Sequence, residues 1–363
     1  MSARPLEDRD LPAVVALYER VWRSGERARG LEEYFRRLAD SPWADPDIPS
    51  LVWDDPEAGI VAYLGSHVRR LRLDGHARRL ACSGQLVADP TFGKPGVGAL
   101  LLRTYLAGPQ DVTTTDGATD EVRDMWSALG GHSLATASIG WTVVFSPATF
   151  GSALAERRLG STAALRVTAP IAHVVDSLAG RELRPTRPDG HTELLTPELL
   201  AGELPKLSRT FRLLPDYDAR GAAWLFGELE AVTARGRLAR TLVRGEQGQM
   251  LGWYIAYMRR NGISQVLHVA APPRSVGVVL DHLLWEALQA GSAAVQGRVE
   301  PHLLAELRAR RCLLRRTEWA LVHGDQAVLG AMAYDESLVT RLDGEWWMGH
   351  HLTPIPGATP QRA

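Results

Sequence analysis

The sequence is short of lysine, of cysteine and of unbroken apolar stretches. Lys94 and Lys206 are the two lysines in 363 residues, although lysine and arginine together number 41. Almost all basic charge is therefore guanidinium, which grips phosphate in a two-pronged way that an ammonium cannot. A phosphate-rich ligand and an arginine-favouring codon usage both produce this bias. Cys82 and Cys312 are the two cysteines, and their separation gives neither metal-ligand spacing nor a disulfide framework. His67, His268 and His282 lack ligand spacing too, so no metal site is expected. No stretch approaches ~18 uninterrupted apolar residues, so no spanning helix and no membrane partner are expected. The opening MSARPLEDRDL is charged and lacks an apolar core, so a secretory leader is not expected and a cytoplasmic protein is. A net charge of −1 supplies no global field toward nucleic acid or anionic lipid.

What is present is a normal globular composition. A hydrophobic fraction of 45% supports a real core, and the length suits two domains. An extended start leads to Asp10, a helix cap with Pro12 in the first turn. Val14, Val15, Leu17, Tyr18, Val21 and Trp22 then follow the helical period. LEEYFRRLADSPW is a second amphipathic helix ending at Ser41-Pro42. Residues 50–90 read as consecutive strands, with LDGH as a hairpin turn. GVGALLLRTYL is a helix, DVTTT a strand, TDEVRDMWSALGG a helix closed by Gly130-Gly131, and IGWTVVFSP a strand. ATFGSALAERRLG reads as a connecting helix, and Gly180–His191 as the boundary. The second half repeats the order: helices at TPELLAGELPKLSRTF and ARGAAWLFGELEAVTA, then a meander of three strands. Helix SVGVVLDHLLWEALQAG, strand AAVQGRV, helix PHLLAELRARR and strand TEWALVH follow. The expected organisation is α/β, two duplicated domains each with a mostly antiparallel mixed sheet flanked by helices. The N-terminal domain spans 1–146, a connector helix and linker 147–184, and the C-terminal domain 185–363.

The stretch DPTFGKPGVGALLLRTYL carries the most chemistry. A strand ending near Ala88 delivers the chain to a turn, and a helix starts near Gly98. The first amides of a helix have no internal partner, and its dipole makes that end electropositive. Glycines let a ligand approach the backbone closely, so the turn suits a pyrophosphate. The same glycines also serve a plain strand–helix turn.

LVADPTFGKPGVGALLL resembles motif A of the GCN5-related N-acetyltransferases, in which a Val-x-Pro strand end is followed by (Arg/Gln)-Gly-x-Gly-x-(Gly/Ala) and an apolar helix. Val87, Asp89 and Pro90 stand at the strand end, and Gly96, Val97 and Gly98 match the end of the loop. TDEVRDMWSALGG resembles that family's next helix. Motifs support the resemblance over residues 3–146, whereas over 185–347 element order alone carries it. The resemblance implies an acetyl-CoA or other acyl-CoA donor and a small-molecule or peptide amine acceptor. The implied cofactor-binding residues are Leu86, Val87, Ala88, Lys94, Gly96, Val97, Gly98 and Ala99. The glycine-loop amides would hold the pyrophosphate, and an amide at Leu86, Val87 or Ala88 would polarise the thioester carbonyl.

Three positions depart from that family. Gly93-Lys94 replaces Arg/Gln-Gly, and Pro95 removes an amide donor. Ser83, Gly84 and Gln85 stand where a glutamate base is usual, and Trp126 replaces the tyrosine that protonates the leaving thiolate. Asp116, after the strand DVTTT, and His132, after Gly130-Gly131, are then the candidate catalytic residues, ahead of Asp120 and Glu121. Both also suit plain turn or surface roles. Cys82 reads as a buried structural thiol. The second half lacks a glycine loop, since its equivalent VAAPPRSVGVVLDHLL has Pro272-Pro273. Its expected role is to close the cleft and bind the acceptor. One working site in paired halves is similar to the Fem-type transferases, which take an aminoacyl group from tRNA. A tRNA donor along LRARRCLLRR (307–316) is therefore one alternative, and a non-catalytic acyl-CoA sensor another. Finally, Glu345, Trp346 and Trp347 beside His350 and His351 form either an acceptor pocket or a packed last turn.

Overall fold

The computed structural model describes residues 2–22, 31–93, 96–159 and 184–348. Lys94, His350 and His351 lie outside the described residues. Two mixed sheets flanked by helices form the molecule, as the sequence pattern implies.

The first sheet contains β1 (Ser2–Pro5), β2 (Leu51–Asp55), β3 (Gly59–Leu73), β4 (His76–Ala88), β5 (Val112–Ala118) and β6 (His132–Ser133). The β3–β4 hairpin turns on Asp74 (φ 50°) and Gly75 (φ 82°), pairing Leu73 with His76. Two consecutive positive φ angles define the turn whose twist matches that of the strands, hence the Asp-Gly pair. β4 and β5 run parallel but pair only over Leu80–Cys82 and Val112–Thr114. The second sheet contains β7 (Ile139–Val144), β8 (His191–Leu194), β10 (Arg237–Arg244), β11 (Met250–Met258), β12 (Ile263–Ala270), β13 (Ala294–Arg298) and β14 (Leu313–Arg316). Here β12 and β13 form the parallel pair, over Ile263–Gln265 and Ala294–Gln296.

The last long strands are exchanged. β15 (Trp319–Gly324) lies between β5 and β6 of the first sheet. β7, from the first half of the chain, lies between β13 and β14 of the second. Both sheets therefore have the same order, β1-β2-β3-β4-β5-β15-β6 and β8-β10-β11-β12-β13-β7-β14, with the sixth place filled by the other half. The short β9 (Leu213–Pro215) adds to the far end of β3.

Helices Val97–Leu106 and Asp120–Ala128 cover one face of the first sheet, where Leu64, Val68, Leu101, Leu102, Tyr105 and Trp126 form a core. A larger core joins the two sheets. It gathers Leu17 and Phe35 from the first two helices, Tyr63 from β3, Phe226 from helix Ala219–Ala231, Trp253 from β11, and Trp347 near the chain end. Full burial of such side chains stabilises by ~1.5–3 kcal/mol each. The second sheet is backed by helix Val276–Gln289, with Val279 and Leu283 against Tyr254 and Val295.

Some elements differ from the sequence pattern. β5 runs on to Ala118, so Asp116 lies within the strand rather than after it. The helix expected through Phe211 ends at Glu203 and continues as a 3-10 turn, Leu204–Arg209, with Pro205 at its start. Strands β8 and β14 lie where the sequence pattern gives no strand. Both are four residues long and exposed throughout, so neither shows the apolar alternation that marks a half-buried strand. Helix Gln326–Ala333 is a further element beyond the sequence pattern, capped by Asp325 through the Ala327 and Val328 amides.

Candidate active site

The glycine turn places a bare helix end beside β4. Gly96 caps helix Val97–Leu106 with φ 86°, a left-handed conformation that favours glycine. The Leu100 amide donates to the Gly96 carbonyl at 3.0 Å, which starts the helical ladder. The amides of Val97, Gly98 and Ala99 precede that ladder and point outward from the helix end. A Cβ on Gly98 would meet Ala88 Cβ at 3.6 Å, an ordinary contact. Gly98 is thus not needed for packing among the described residues, which leave the neighbourhood of Gly96 and Gly98 uncrowded.

The matching helix of the second sheet is closed. A Cβ on Gly277 would lie 2.7 Å from Glu306 Oε2. Arg310 Nη2 donates to the Gly277 carbonyl at 2.8 Å, and its guanidinium also pairs with Asp281 and Glu306. Glu306 and Arg310, paired with each other, crowd the first turn of that helix. Arg316, from the same arginine-rich run, stacks over Trp319 at 4.8 Å.

β4 carries a bulge next to the open helix end. Gly65 pairs with Gly84 and Tyr63 with Val87, so β4 spends one residue more than β3 between those pairs. Gln85 has φ 58°, an outlier for a non-glycine residue. Two tyrosines hold it: Tyr18 donates to the Gln85 carbonyl at 2.7 Å, and Gln85 Nε2 donates to Tyr34 Oη at 2.8 Å. Leu86 falls in the bulge, while Val87 and Ala88 pair again with β3. Beyond Cys82, β4 has no partner in β5 among the described residues, and the two strands splay apart.

The segment Asp343–Trp346 lies in that splay. Cys82 Sγ donates to the Asp343 carbonyl at 3.0 Å. A Cβ on Gly84 would lie 3.3 Å from Glu345 Cβ and 3.2 Å from the His67 ring, so all three converge on one point of β4. Gly344 is forced by contact, because any side chain there would overlap the Asp116 carboxylate. Asp116 Oδ1 accepts from the amides of Glu345 at 3.1 Å and Trp346 at 2.8 Å. In return, Glu345 Oε1 accepts from the Asp116 amide at 3.0 Å and from Thr115 Oγ1. Burial, then the neighbouring Asp116 charge, pushes the Glu345 carboxyl well above the usual carboxylate range. Burial raises Asp343 to about 6 and the Cys82 thiol well above its ordinary value. His67 is pushed down to about 3 by burial and by Arg69. Cys82 is thus a protonated hydrogen-bond donor, in keeping with a structural thiol.

The two candidate catalytic residues part company. Asp116 is 2% exposed and meets Glu345 in the splay. His132 is exposed on β6 near His323, whose ring is held below the usual histidine value by burial first and by His132 second. Trp126 is buried in the helix-side core at 1% exposure. Asp120 accepts from Trp319 Nε1 at 2.7 Å, an outward role. Sequence reasoning singled out Glu345 without linking it to Asp116, 229 residues away. His67, set aside in the sequence for want of ligand spacing, has its Nε2 buried without a hydrogen-bond partner. Among the described residues no cluster of three His, Cys, Asp or Glu could hold a metal ion, and no helix is long and apolar enough to cross a membrane.

No family model and no curated protein sequence matches the chain. Solved structures do resemble it. A GCN5-related N-acetyltransferase from Anabaena variabilis ATCC 29413 aligns with TM-score 0.56 at 11% identity, over 90% of this chain and 73% of that one. A GCN5-related N-acetyltransferase from Kribbella flavida gives 0.52 at 15%, over 88% and 70%. A protein from Enterococcus faecalis V583, described as a probable N-acyltransferase, gives 0.53 at 9%, over 91% and 73%. The chain has the fold of the GCN5-related N-acetyltransferases.

Proposed function

We propose that the protein is an N-acyltransferase using acetyl-CoA or another acyl-CoA. One observation carries this reading: the open helix end at Gly96–Ala99 stands directly beside the bulged, splayed end of β4. The first supplies amides and a positive dipole for a pyrophosphate. The second supplies unpaired backbone along which a pantetheine amide chain can lie, with an amide at Leu86, Val87 or Ala88 for the thioester oxygen.

The reaction joins the amine nitrogen to the thioester carbonyl carbon and breaks the carbon–sulfur bond. The amine gives up a proton, and the departing thiolate gains one. The Asp116–Glu345 pair divides these tasks. Asp116 is the carboxylate that takes the amine proton. Glu345, held protonated by burial, is the acid for the leaving sulfur. This pairing stands in for the absent glutamate and tyrosine, since Trp126 is locked in the core.

Calorimetric titration with acetyl-CoA, propionyl-CoA and longer acyl-CoAs tests the donor, and release of free CoA thiol in the presence of amines tests turnover. Failure of every acyl-CoA to bind would remove the reading. The occupancy of the splay by Asp343–Trp346 favours one second reading, an acyl-CoA-binding sensor. That reading predicts binding without thiol release.

A further inference from the structure

A cavity of about 220 Å³ opens between the two sheets, against Asp116. Its floor is Thr114 and Asp116 of β5, Arg298 at the end of β13, and Gly344. Its mouth is formed by Ser133, Thr136 and the exposed Ala333. The position of the floor follows from the shared topology. Asp116 stands two residues beyond the last β4–β5 pair, and Arg298 two residues beyond the last β12–β13 pair. Corresponding ends of the two sheets therefore meet here, with Arg298 Nη1 3.7 Å from Asp116 Oδ2.

Charge and hydrogen bonding specify an occupant. Asp116 Oδ2 is buried and has no hydrogen-bond partner. A buried carboxylate oxygen left without a donor is costly. Arg298 does not supply the donor, because its Nε is given to Glu300 at 2.9 Å and Nη1 stays too far for a hydrogen bond. The cavity wall carries Asp116 and Glu300 with Arg298, and the buried Arg341 guanidinium also acts on Asp116 and Glu300 from behind the lining. A ligand whose head group brings several N–H donors supplies the one that Asp116 Oδ2 lacks. Leu134, Met332 and Val339 line the remaining wall with carbon, and Ser133 and Thr136 offer hydroxyls at the mouth. At ~30 Å³ per water-sized group, the volume holds about seven such groups.

We propose that this cavity is the acceptor port, and that it takes a small primary amine, of the amino-alcohol or short diamine class. The amine enters as its ammonium ion, sets its head on Asp116 Oδ2 and keeps its polar tail at the Ser133–Thr136 mouth. The name acceptor rests on the acyl-transfer reading, but the site does not. Asp116 then receives the proton whose loss frees the nitrogen lone pair.

The test is calorimetric titration of the full chain, without CoA, using ethanolamine, 3-amino-1-propanol and 1,4-diaminobutane, with N-acetylethanolamine as the uncharged comparison. At least one amine is expected to bind one to one, and N-acetylethanolamine is not. Asp116→Asn is expected to weaken that amine about tenfold or more, the loss of a charge-assisted bond. Asp116→Asn also touches the Glu345 and Trp346 amides, so Ala333→Trp provides a second variant. It alters only the exposed rim and is expected to block entry with the same loss. No binding by any of the three amines overturns the port, as does equal binding of N-acetylethanolamine or unchanged affinity in Ala333→Trp. A parallel titration with acetyl-CoA separates the two claims. CoA binding without amine binding overturns the port and leaves the donor site. Amine binding without CoA binding does the reverse.

Discussion

Glu345 and Asp116 hold one another through four hydrogen bonds to the other's backbone or its immediate neighbours. Replacing Glu345 with Gln keeps the shape and removes the transferable proton. Thiol release by the Glu345→Gln variant is expected to fall by ~10²–10⁴-fold with acyl-CoA affinity nearly unchanged, the usual share of one acid–base group. A variant that turns over at the parent rate would take Glu345 out of the chemistry. His67 gives a different signature. Its folded value of about 3 lies below the ordinary 6.5, so the folded ring stays neutral while the unfolded one takes up a proton. Its contribution to stability is present above about 6.5 and is lost as the pH falls from there toward 3. Between pH 7 and pH 5 the denaturant midpoint of the parent chain is expected to fall more steeply than that of His67→Gln. Parallel curves would show that the ring titrates normally. In the sequence His67 is a lone histidine on a long strand, and its neutrality comes from burial and from Arg69, neither of which spacing reveals.

At the scale of elements, the helix Val97–Leu106 offers the cleanest experiment. The protein tolerates a Cβ at Gly98, where Ala88 would be an ordinary neighbour. Gly98→Val is therefore expected to lower acetyl-CoA affinity at least tenfold while leaving the thermal midpoint within a degree or two. Equal loss of stability and affinity would mean that the glycine serves packing. This element was legible because its signals are local: a glycine pair, an apolar run and a strand end within about a dozen residues. The Asp74-Gly75 hairpin was legible for the same reason, because an Asp-Gly pair between strands suits a turn that needs two positive φ angles. The splay and its contents were not. Asp116 and Glu345 are 229 residues apart in sequence, and the bulge at Gln85 is set by Tyr18 and Tyr34 reaching across from other helices. β7 and β15 each read correctly as strands, yet nothing in IGWTVVFSP or TEWALVH says which sheet it joins.

For the whole molecule, the exchange of β7 and β15 makes each sheet depend on the other half. Heating the full chain is expected to give one unfolding transition, seen together by far-ultraviolet dichroism and tryptophan fluorescence. Fragments 1–159 and 184–363 expressed apart each retain the strand that belongs to the other. Neither is expected to show a cooperative transition alone, and mixing them is expected to restore it. Two separate transitions in the full chain would contradict this. The exchange also bears on synthesis. β5 leaves the ribosome long before β15, its partner about 200 residues later. At ~5–20 residues per second the delay is about 10–40 s. Through that interval the nascent first sheet presents β5 as a bare edge, open to any strand that comes near. The first candidate to arrive is β7, the strand the finished protein gives to the other sheet. The growing chain must therefore either leave that edge empty or close it provisionally with β7 and release it when β15 emerges.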